Sequence, residues 1–332
     1  CGRFGNRQLP KHEQPRVGVR TRPGKLNRIA RISLACALLL LPLGALAQSS
    51  AIWVLYPDVG QPERDAFTLM RTGIEAVAAR ARVEVVAIPV PENASPTEFA
   101  ARIRSRPPRT IIALGRRAYL LTKAMKVETP VVVGAVDLPV GAGAEDGISL
   151  TTDPRVVIAT LRTVAPQIQR VVVIADPERD RWWIDPARAA ADRAGILLQL
   201  HAASTIGEAA AHYLNVFRYG NPRTDAIWLV DSGRYVTADT LPRIIEESWS
   251  RNFLVFSNTL EHVNQGALFA HYPDPRPMGE RIARLALDGN ARHEMRFLED
   301  VKRAANARVG THLGPAVNNA QLSRFDVVLG RE

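Results

Sequence analysis

The sequence predicts an α/β protein of two lobes, each built on a parallel β-sheet that helices cover on both faces. Short apolar runs rich in Val and Ile alternate with helical patterns after Gln48. These runs are continuous rather than alternating, which is typical of strands buried on both faces. The remaining length of about 285 residues exceeds the usual size of a single core. Two lobes are therefore the expected organisation.

The predicted elements follow one another in a regular order. Strands are predicted at 51–56, 83–90, 110–114, 130–136, 148–152, 170–175, 196–201, 225–230, 253–256 and 267–270. Helices are predicted at 64–80, 97–105, 155–164, 186–194, 206–218, 241–250 and 278–287. Ser95 can cap the second helix, with Pro96 at its first position. A Gly-rich passage at 140–153 is predicted to lead from the first lobe to the second.

The N-terminal segment, residues 1–47, has the pattern of a secretory signal. Arg28 and Arg31 precede an uncharged apolar run at 32–41, and the small residues at 45–47 predict cleavage before Gln48. The run is shorter than the roughly 20 residues that span a membrane. A buried helix of the folded domain is the alternative. We expect translation to begin within residues 1–27. Lipid anchoring at Cys36 is not expected, because Ser33 occupies the position where an aliphatic residue is needed.

Removing this segment changes the charge of the chain and its cysteine content. The whole sequence holds 43 basic and 33 acidic residues, a net charge of +10. Nine of the basic residues and one acid precede Gln48, which leaves 34 basic and 32 acidic residues, a net charge of +2. Both cysteines, Cys1 and Cys36, are also removed. The remaining chain therefore offers neither a basic stripe for nucleic acid nor a thiol for catalysis or metal binding.

Common enzyme signatures are absent from the sequence. It contains no Gly-x-Ser-x-Gly elbow, no phosphate-binding Gly-x-x-x-x-Gly-Lys loop and no His-x-x-x-His pair. The sequence therefore predicts a protein that is not an enzyme. We expect no cofactor and no metal.

Polar residues follow nearly every predicted strand, where parallel strands open into a crevice. The candidate ligand-binding residues are Tyr56, Asp58, Gly115, Asp137, Asp231, Ser232, Gly233, Arg234, Asn258, Thr259 and Tyr272.

Each candidate has a structural alternative. Asp137 and Asp231 could receive the ammonium of an amino-acid-like ligand or cap the next helix. Ser232 and Gly233 could bind an anion or form a tight turn, and Arg234 could pair with a carboxylate or be solvated.

The remaining candidates, and a tryptophan pair, carry similar alternatives. Asn258 and Thr259 could contact ligand or cap a helix, and Tyr56 and Tyr272 could line the cleft or pack in the core. Trp182 and Trp183 lie in the charged run ERDRWWIDP, where one indole could close over the cleft but packing under a loop is favoured.

The chain resembles the ABC-transporter substrate-binding proteins of the type I periplasmic-binding fold, in the branch that includes tryptophan-binding importers. The resemblance is strongest at 224–290, through a strand, polar turn and capped helix (TDAIWLVDSGRYVTADTLPRII) followed by Val263, the QGAL run at 265–268, Tyr272 and Gly279. The ending AVNNAQLSRFDV is similar to the family's last strand and short helix. The chain departs from the family pattern at 58–62, 136–143 and 231–234, all expected in the cleft, so the family's ligand does not carry over.

The resemblance implies two Rossmann-like lobes with parallel sheets joined by a hinge. Lobe 1 would comprise 48–150, completed by about 273–298, and lobe 2 would comprise 151–272. Residues 299–332 would form a C-terminal segment that crosses the hinge.

The implied function is periplasmic capture of a small ligand, with an amino-acid-like molecule as one candidate, for the membrane permease of an ABC importer. A periplasmic sensor that feeds a receptor or kinase, and an exported α/β enzyme with an unrecognised site, are the alternatives.

Overall fold

The computed structural model describes residues 51–143, 145–230, 234–289 and 292–330. The predicted signal segment, 1–47, lies outside the described residues, as do Asp231, Ser232 and Gly233. Among the residues that are described, no helix is both long and apolar enough to cross a membrane.

Strands and helices alternate along most of the described chain. The strands are β1 Ile52–Pro57, β2 Val85–Val90, β3 Thr110–Leu114, β4 Val131–Val136, β5 Gly141–Ala142, β6 Asp146–Thr152, β7 Arg170–Ala175, β8 Leu197–Ala202, β9 Asp225–Leu229, β10 Leu254–Ser257, β11 Phe269–Pro273, β12 Glu294–Leu298, β13 Val301–Asn306 and β14 Val327–Leu329. The helices are α1 Glu63–Arg80, α2 Pro96–Ser105, α3 Gly115–Met125, α4 Pro154–Val164, α5 Arg181–Arg193, α6 Ile206–Tyr219, α7 Leu241–Ser250, α8 Leu260–Gln265, α9 Pro275–Asp288, α10 Ala307–Leu313 and α11 Asn319–Leu322.

Two sheets of seven described strands form the two lobes. The first has the order β2-β1-β3-β4-β6-β12-β5, with every pairing parallel except β12 with β5. The second has the order β14-β13-β11-β10-β9-β7-β8, with only β11 and β13 antiparallel. The predicted α/β architecture of two lobes with mostly parallel sheets is confirmed. In both sheets the strand order reverses beside the first strand, which creates a crevice at the carboxyl ends of the strands.

Both faces of each sheet are buried, because the strands are continuous runs of apolar residues. In β1, Ile52 and Val54 pack with α1 and α9, whereas Trp53 and Leu55 pack with α2 and α3 on the opposite face. The five residues of β9 are all buried. Each sheet is therefore a rigid layer between helices.

Local signals fix several helix starts as predicted. Ser95 accepts a hydrogen bond from the Glu98 backbone N–H at 3.4 Å, and Pro96 opens α2. Thr205 caps α6 through the Glu208 N–H at 3.2 Å. These caps satisfy backbone donors that a helix start leaves without intrahelical partners.

Some elements differ from the sequence prediction. The helix α3 was not predicted, although its apolar residues recur at helical spacing. The helix α5 begins at Arg181, five residues earlier than predicted, because Trp183 and Ile184 bury their side chains on the second-lobe core. At the C-terminus the short helix α11 precedes β14, the reverse of the predicted order.

The chain passes between the two sheets three times, at adjacent places. The passages are Thr152–Asp153, Pro273–Asp274 and residues 298–301. Asp153 N–H donates to Leu298 O at 2.8 Å, and Asp274 N–H donates to Asp300 O at 2.9 Å, so the three passages are hydrogen-bonded side by side.

Charged side chains border these passages. Glu299 lies 3.2 Å from Arg155 on α4 and 2.9 Å from Arg281 on α9. Because α4 packs on the second sheet and α9 on the first, Glu299 links the two lobes through partly exposed ion pairs.

Candidate functional site

A cavity of about 510 Å³ lies between the lobes at the carboxyl ends of their strands. The first lobe contributes the ends of β4 and β6, and the second contributes the start of α5 and the ends of β9, β10 and β11. Its lining residues are Asp137, Leu150, Thr151, Thr152, Asp180, Trp182, Trp183, Val230, Asn258, Thr259, Leu260, Tyr272 and Pro273. The volume is within the range of roughly 300–1,000 Å³ that small-molecule sites occupy.

In the first lobe, a network of hydroxyl groups positions Asp137. Thr151 Oγ1 donates to Asp137 Oδ1 at 2.5 Å. Ser149, which is fully buried, accepts from the Leu138 and Thr151 backbone N–H groups at 3.2 and 3.3 Å. The strand ends of β4 and β6 are thus tied together, and the exposed Asp137 carboxylate is held beside the cavity.

In the second lobe, a buried hydrogen-bond network supports the turn after β10. The Trp228 indole N–H donates to Asn258 Oδ1 at 3.1 Å, which fixes the orientation of this amide. Beneath the turn, Ser257 Oγ lies 2.6 Å from His262 Nδ1 and accepts from the Thr259 N–H at 3.2 Å. These hydrogen bonds hold Asn258 and Thr259 in place in the wall of the cavity.

The adjacent indoles Trp182 and Trp183 both line the cavity, from the first turn of α5. Trp183 is buried and meets Trp228 edge-on, with ring centroids 5.7 Å apart. Trp182 stacks on Phe297 of β12 at 6.2 Å, so this contact joins the two lobes. We expected the two indoles to pack under a loop. In the structure they belong to the helix α5, and both line the cavity.

A carboxylate pair lies at the end of β7, beside α5. Asp180 Oδ2 accepts a hydrogen bond from the Asp176 backbone N–H at 3.0 Å. Burial raises the pKa of Asp180, and the neighbouring Asp176 carboxylate raises it further, against the lowering effects of that N–H and of Arg234. Arg234 pairs with Asp176 at 3.4 Å. Asp180 thus lines the cavity, and water stabilises its charged form less than that of an exposed carboxylate.

Tyr272 lies at the end of β11 and is half-buried. Its ring packs against Val263 and Ala304, and burial, followed by the charges of Asp326 and Asp274, raises the pKa of its hydroxyl. The hydroxyl therefore stays protonated over a wide pH range and can donate to a ligand.

The candidate residues predicted from sequence fall into four groups. Asp137, Asn258, Thr259 and Tyr272 come together in the cavity wall. Arg234 lies behind the wall in its ion pair with Asp176. Asp231, Ser232 and Gly233 lie outside the described residues.

Tyr56, Asp58 and Gly115 end β1 and β3 but do not line the cavity. Tyr56 accepts from Arg71 Nη1 at 3.2 Å, and the backbone carbonyl of Asp58 accepts from Arg117 at 2.9 Å. Gly115 has φ +80° and starts α3, where a Cβ atom would lie 3.1 Å from the Phe67 ring. Each of these has a structural role in the geometry observed, and their ligand contacts stay a prediction.

Three polar residues of the wall were missed by the sequence analysis as ligand candidates: Thr151, Thr152 and Asp180. Thr151 and Thr152 end a predicted strand, so the strand-end criterion could have found them. Asp180 lies five residues beyond β7, inside a charged run, and only the position of α5 brings it to the cavity.

A second cavity of about 390 Å³ lies within the first lobe, near the amino ends of β3, β4 and β6. One carboxylate of its wall, Glu145, accepts hydrogen bonds from Tyr119 at 3.0 Å and from Lys123 at 2.8 Å. It is lined by one lobe only and lies away from the switch points of the sheets, so we assign the interlobe cavity as the site.

Comparison with solved structures identifies the fold. A substrate-binding protein with adhesive properties from Clostridium difficile, in its ligand-free, open structure, matches with a TM-score of 0.59 and 14% identity over 80% of this chain and 94% of its own. The ABC domain in complex with L-Trp from Streptococcus pneumoniae matches with a TM-score of 0.52 and 16% identity, covering 84% and 99%. A conserved domain protein from Vibrio cholerae O1 gives a TM-score of 0.52 and 15% identity over the same shares.

The chain has the type I periplasmic-binding fold. No protein-family model and no curated protein matches the sequence. At these identities the shared feature is the fold, and the ligands of the similar proteins are theirs alone. In a type I periplasmic-binding fold, the interlobe cavity is the place where both lobes can contact one bound molecule.

The wall of the cavity combines polar and aromatic side chains. Among the described residues, no group of three or more His, Cys, Asp or Glu side chains is placed to hold a metal ion. The wall instead combines two carboxylates, an amide, hydroxyl groups and aromatic rings. Such a set offers directional hydrogen bonds on an apolar surface.

Proposed function

We propose that the protein is an exported solute-binding protein that captures a small organic ligand between its lobes for import by an ABC-type transporter. The observation that carries this proposal is the interlobe cavity, whose wall comes from both lobes at the carboxyl ends of their strands. The N-terminal signal pattern supports export to the periplasm.

Capture requires a ligand to bind the closed arrangement of the lobes better than the open one. Asp137 and Thr151 belong to the first lobe, whereas Asn258 and Tyr272 belong to the second. A molecule that contacts both sets links the lobes, and adjacent chain passages such as those seen here permit closure by hinge motion. Binding energy is thereby converted into a change of shape that a permease can recognise.

The proposal includes no bond chemistry at the site. Ser257 and His262 form a short hydrogen-bonded pair, but the serine is fully buried and the histidine is 6% exposed. Neither lines the cavity, and the serine hydroxyl is engaged by the Leu229 carbonyl and the Thr259 N–H. The Ser257–His262 pair supports the turn after β10. It does not form a solvent-accessible nucleophile.

Ligand binding is tested by thermal shift of the purified protein against amino acids, amines, nucleosides, sugars and organic acids. A ligand at about 100 times its Kd stabilises the folded state by about 2.7 kcal/mol, which raises the melting temperature by several degrees. We expect Tyr272→Ala to weaken the binding of the active compound at least about tenfold, because the wall loses a ring and a hydroxyl. Protein recovered from the periplasm should begin at Gln48.

Tyr219→Ala is the matched control, since this tyrosine is 75% exposed on α6. It should leave the ligand-induced shift unchanged, and Tyr272→Phe separates the ring from the hydroxyl. A panel in which no compound shifts the melting temperature, with no molecule copurifying, would contradict the proposal.

A further inference from the structure

Two charged side chains line the interlobe cavity among the described residues, and both are acidic. Asp137 comes from the first lobe and Asp180 from the second. Among the described lining residues there is no Lys, Arg or His. The described part of the wall thus carries two carboxylates on opposite lobes and no cationic side chain.

Two described arginines act on Asp180 from outside the wall of the cavity. Arg234 lies 3.4 Å from Asp176 Oδ2 and 3.4 Å from the Tyr235 hydroxyl, and the charges of Arg234 and of the exposed Arg179 both lower the pKa of Asp180. Neither arginine lines the cavity. Asp137 and Asp180 are therefore the carboxylates that face the cavity with no cationic side chain beside them in the described wall.

Asp180 is the less well solvated of the two. It is half-buried, and the backbone N–H of Asp176 is one donor to one of its oxygens. A carboxylate withdrawn from water is stabilised by a positive partner, which replaces the lost hydration. The raised pKa of Asp180, whose largest cause is burial, is consistent with this loss of hydration.

The aromatic part of the wall favours the same kind of partner. Trp182, Trp183 and Tyr272 line the cavity together with the carboxylates. Aromatic faces attract organic cations and also cover apolar groups, with Trp the most favourable ring. The amide of Asn258, whose oxygen is held by Trp228, presents its NH₂ group as a donor to a neutral acceptor.

We propose that the ligand is a small organic cation, an amine or amidine with an apolar or aromatic body, whose charged end faces Asp137 and Asp180. This inference rests on the proposed function and narrows its ligand class. A zwitterion would bring a carboxylate to a wall whose described residues include no cationic side chain, and an organic acid would meet the like charges of Asp137 and Asp180. A cation without a carboxylate therefore matches the wall best.

Binding of compounds that differ only in charge tests this inference. Three series are measured by calorimetry: tryptamine, L-tryptophan and indole-3-propionate; phenethylamine, L-phenylalanine and 3-phenylpropionate; and the aliphatic set of isoamylamine, L-leucine and 4-methylpentanoate. In at least one series we expect the amine to bind at least about tenfold more tightly than the amino acid, with no measurable binding of the acid.

Two isosteric variants identify the carboxylates responsible. Asp137→Asn and Asp180→Asn should each weaken amine binding about tenfold or more, because each removes one charge while keeping the side-chain size. Asp239→Asn is the matched control, since Asp239 is exposed near α7 and does not line the cavity. Its amine affinity should equal that of the unsubstituted protein.

The outcomes separate this inference from the proposed function. Tightest binding by an amino acid, an acid or a neutral compound from the wider panel overturns the cationic ligand and leaves solute binding intact. Unchanged amine affinity in both Asp variants also overturns it. Failure of every compound in both sets contradicts the two proposals together.

Discussion

His271 on β11 shows how burial sets the behaviour of one side chain. It is fully buried, its Nε2 lies 3.0 Å from Thr160 Oγ1, and its Nδ1 has no hydrogen-bond partner among the described residues. Burial, followed by the charge of Arg303, lowers the pKa to about 4, although Asp326 acts in the opposite direction. The imidazole is therefore neutral in the folded protein near neutral pH.

This histidine predicts a loss of stability in acid. Because its pKa in the folded state lies below the unfolded value of 6.5, the unfolded chain takes up the proton first as the pH falls. Stability should decline as the pH falls from about 6.5 towards 4, by about 2–3 kcal/mol at pH 4.5 relative to pH 7.5. In urea unfolding at these two pH values, His271→Gln should remove this part of the difference. The exposed His293→Gln should retain it, and equal pH dependence in both variants would refute the assignment.

Individual site residues were predictable when they directly followed a strand. Asp137, Asn258 and Thr259 were found in this way, because carboxyl strand ends converge wherever a parallel sheet is formed. Asp180 could not be found from its neighbours in sequence. Its position depends on where α5 lies against the second sheet, and that is decided by the packing of Trp183 on Trp228.

At the scale of elements, the closest packing in the first lobe joins α1 and α9. A Cβ atom on Gly279 would lie 2.0 Å from the Met70 carbonyl oxygen, and one on Gly73 would lie 2.2 Å from the Arg276 carbonyl oxygen. The helices therefore approach backbone to backbone at two glycines. Any side chain there must move one helix away from the other.

We expect Gly279→Ala to destabilise the protein by about 1–3 kcal/mol, because overpacking outweighs the better helix propensity of Ala. Gly207→Ala on α6 is the matched control, since the nearest atom to its Cβ would be 4.0 Å away. That variant should be neutral or stabilising by up to about 1 kcal/mol. Equal unfolding midpoints for the two variants in urea would show that the helices can separate freely.

Elements were predictable where a periodic apolar pattern was long enough. The strands β1 to β4 and β6 to β11 and most of the described helices have this property, and α2 also has a recognisable cap at Ser95. The strands β5, β12, β13 and β14 are short or polar and were not predicted from apolar runs. The helix α3 was missed because it follows β3 without a polar cap, at a glycine with φ +80°. The start of α5 was missed because Pro186 looked like a helix start, whereas it lies inside the helix.

At the scale of the whole molecule, neither lobe is made from one continuous segment. The first core joins Ile52 and Val54 of β1 with Met278 and Ile282 of α9, more than 200 residues later. The second sheet likewise receives β13 and β14 from the end of the chain. The apolar periodicity does not indicate this division, because β12 and β13 are separated by two residues and enter different sheets, whereas the family resemblance implies a first lobe completed by about 273–298.

The shared core predicts that the first half of the chain cannot fold alone. A polypeptide of residues 48–152 lacks α9, so the apolar face that α1 and β1 present to it would be exposed to water. We expect poor chemical-shift dispersion and no cooperative thermal transition. Joining 274–298 to it through a short Gly/Ser linker should restore both. Cooperative unfolding of 48–152 by itself, seen by circular dichroism, would contradict this dependence.

The three adjacent passages between the lobes also restrict how the protein can move. Twisting one lobe against the other would shear the hydrogen bonds from Asp153 to Leu298 and from Asp274 to Asp300. Bending about a line through all three passages needs only small changes in a few backbone dihedral angles. Relative motion is thereby reduced to one dominant degree of freedom. A small molecule that contacts both lobes therefore needs to restrict one rotation only. A few contacts are enough to stabilise one arrangement of the lobes.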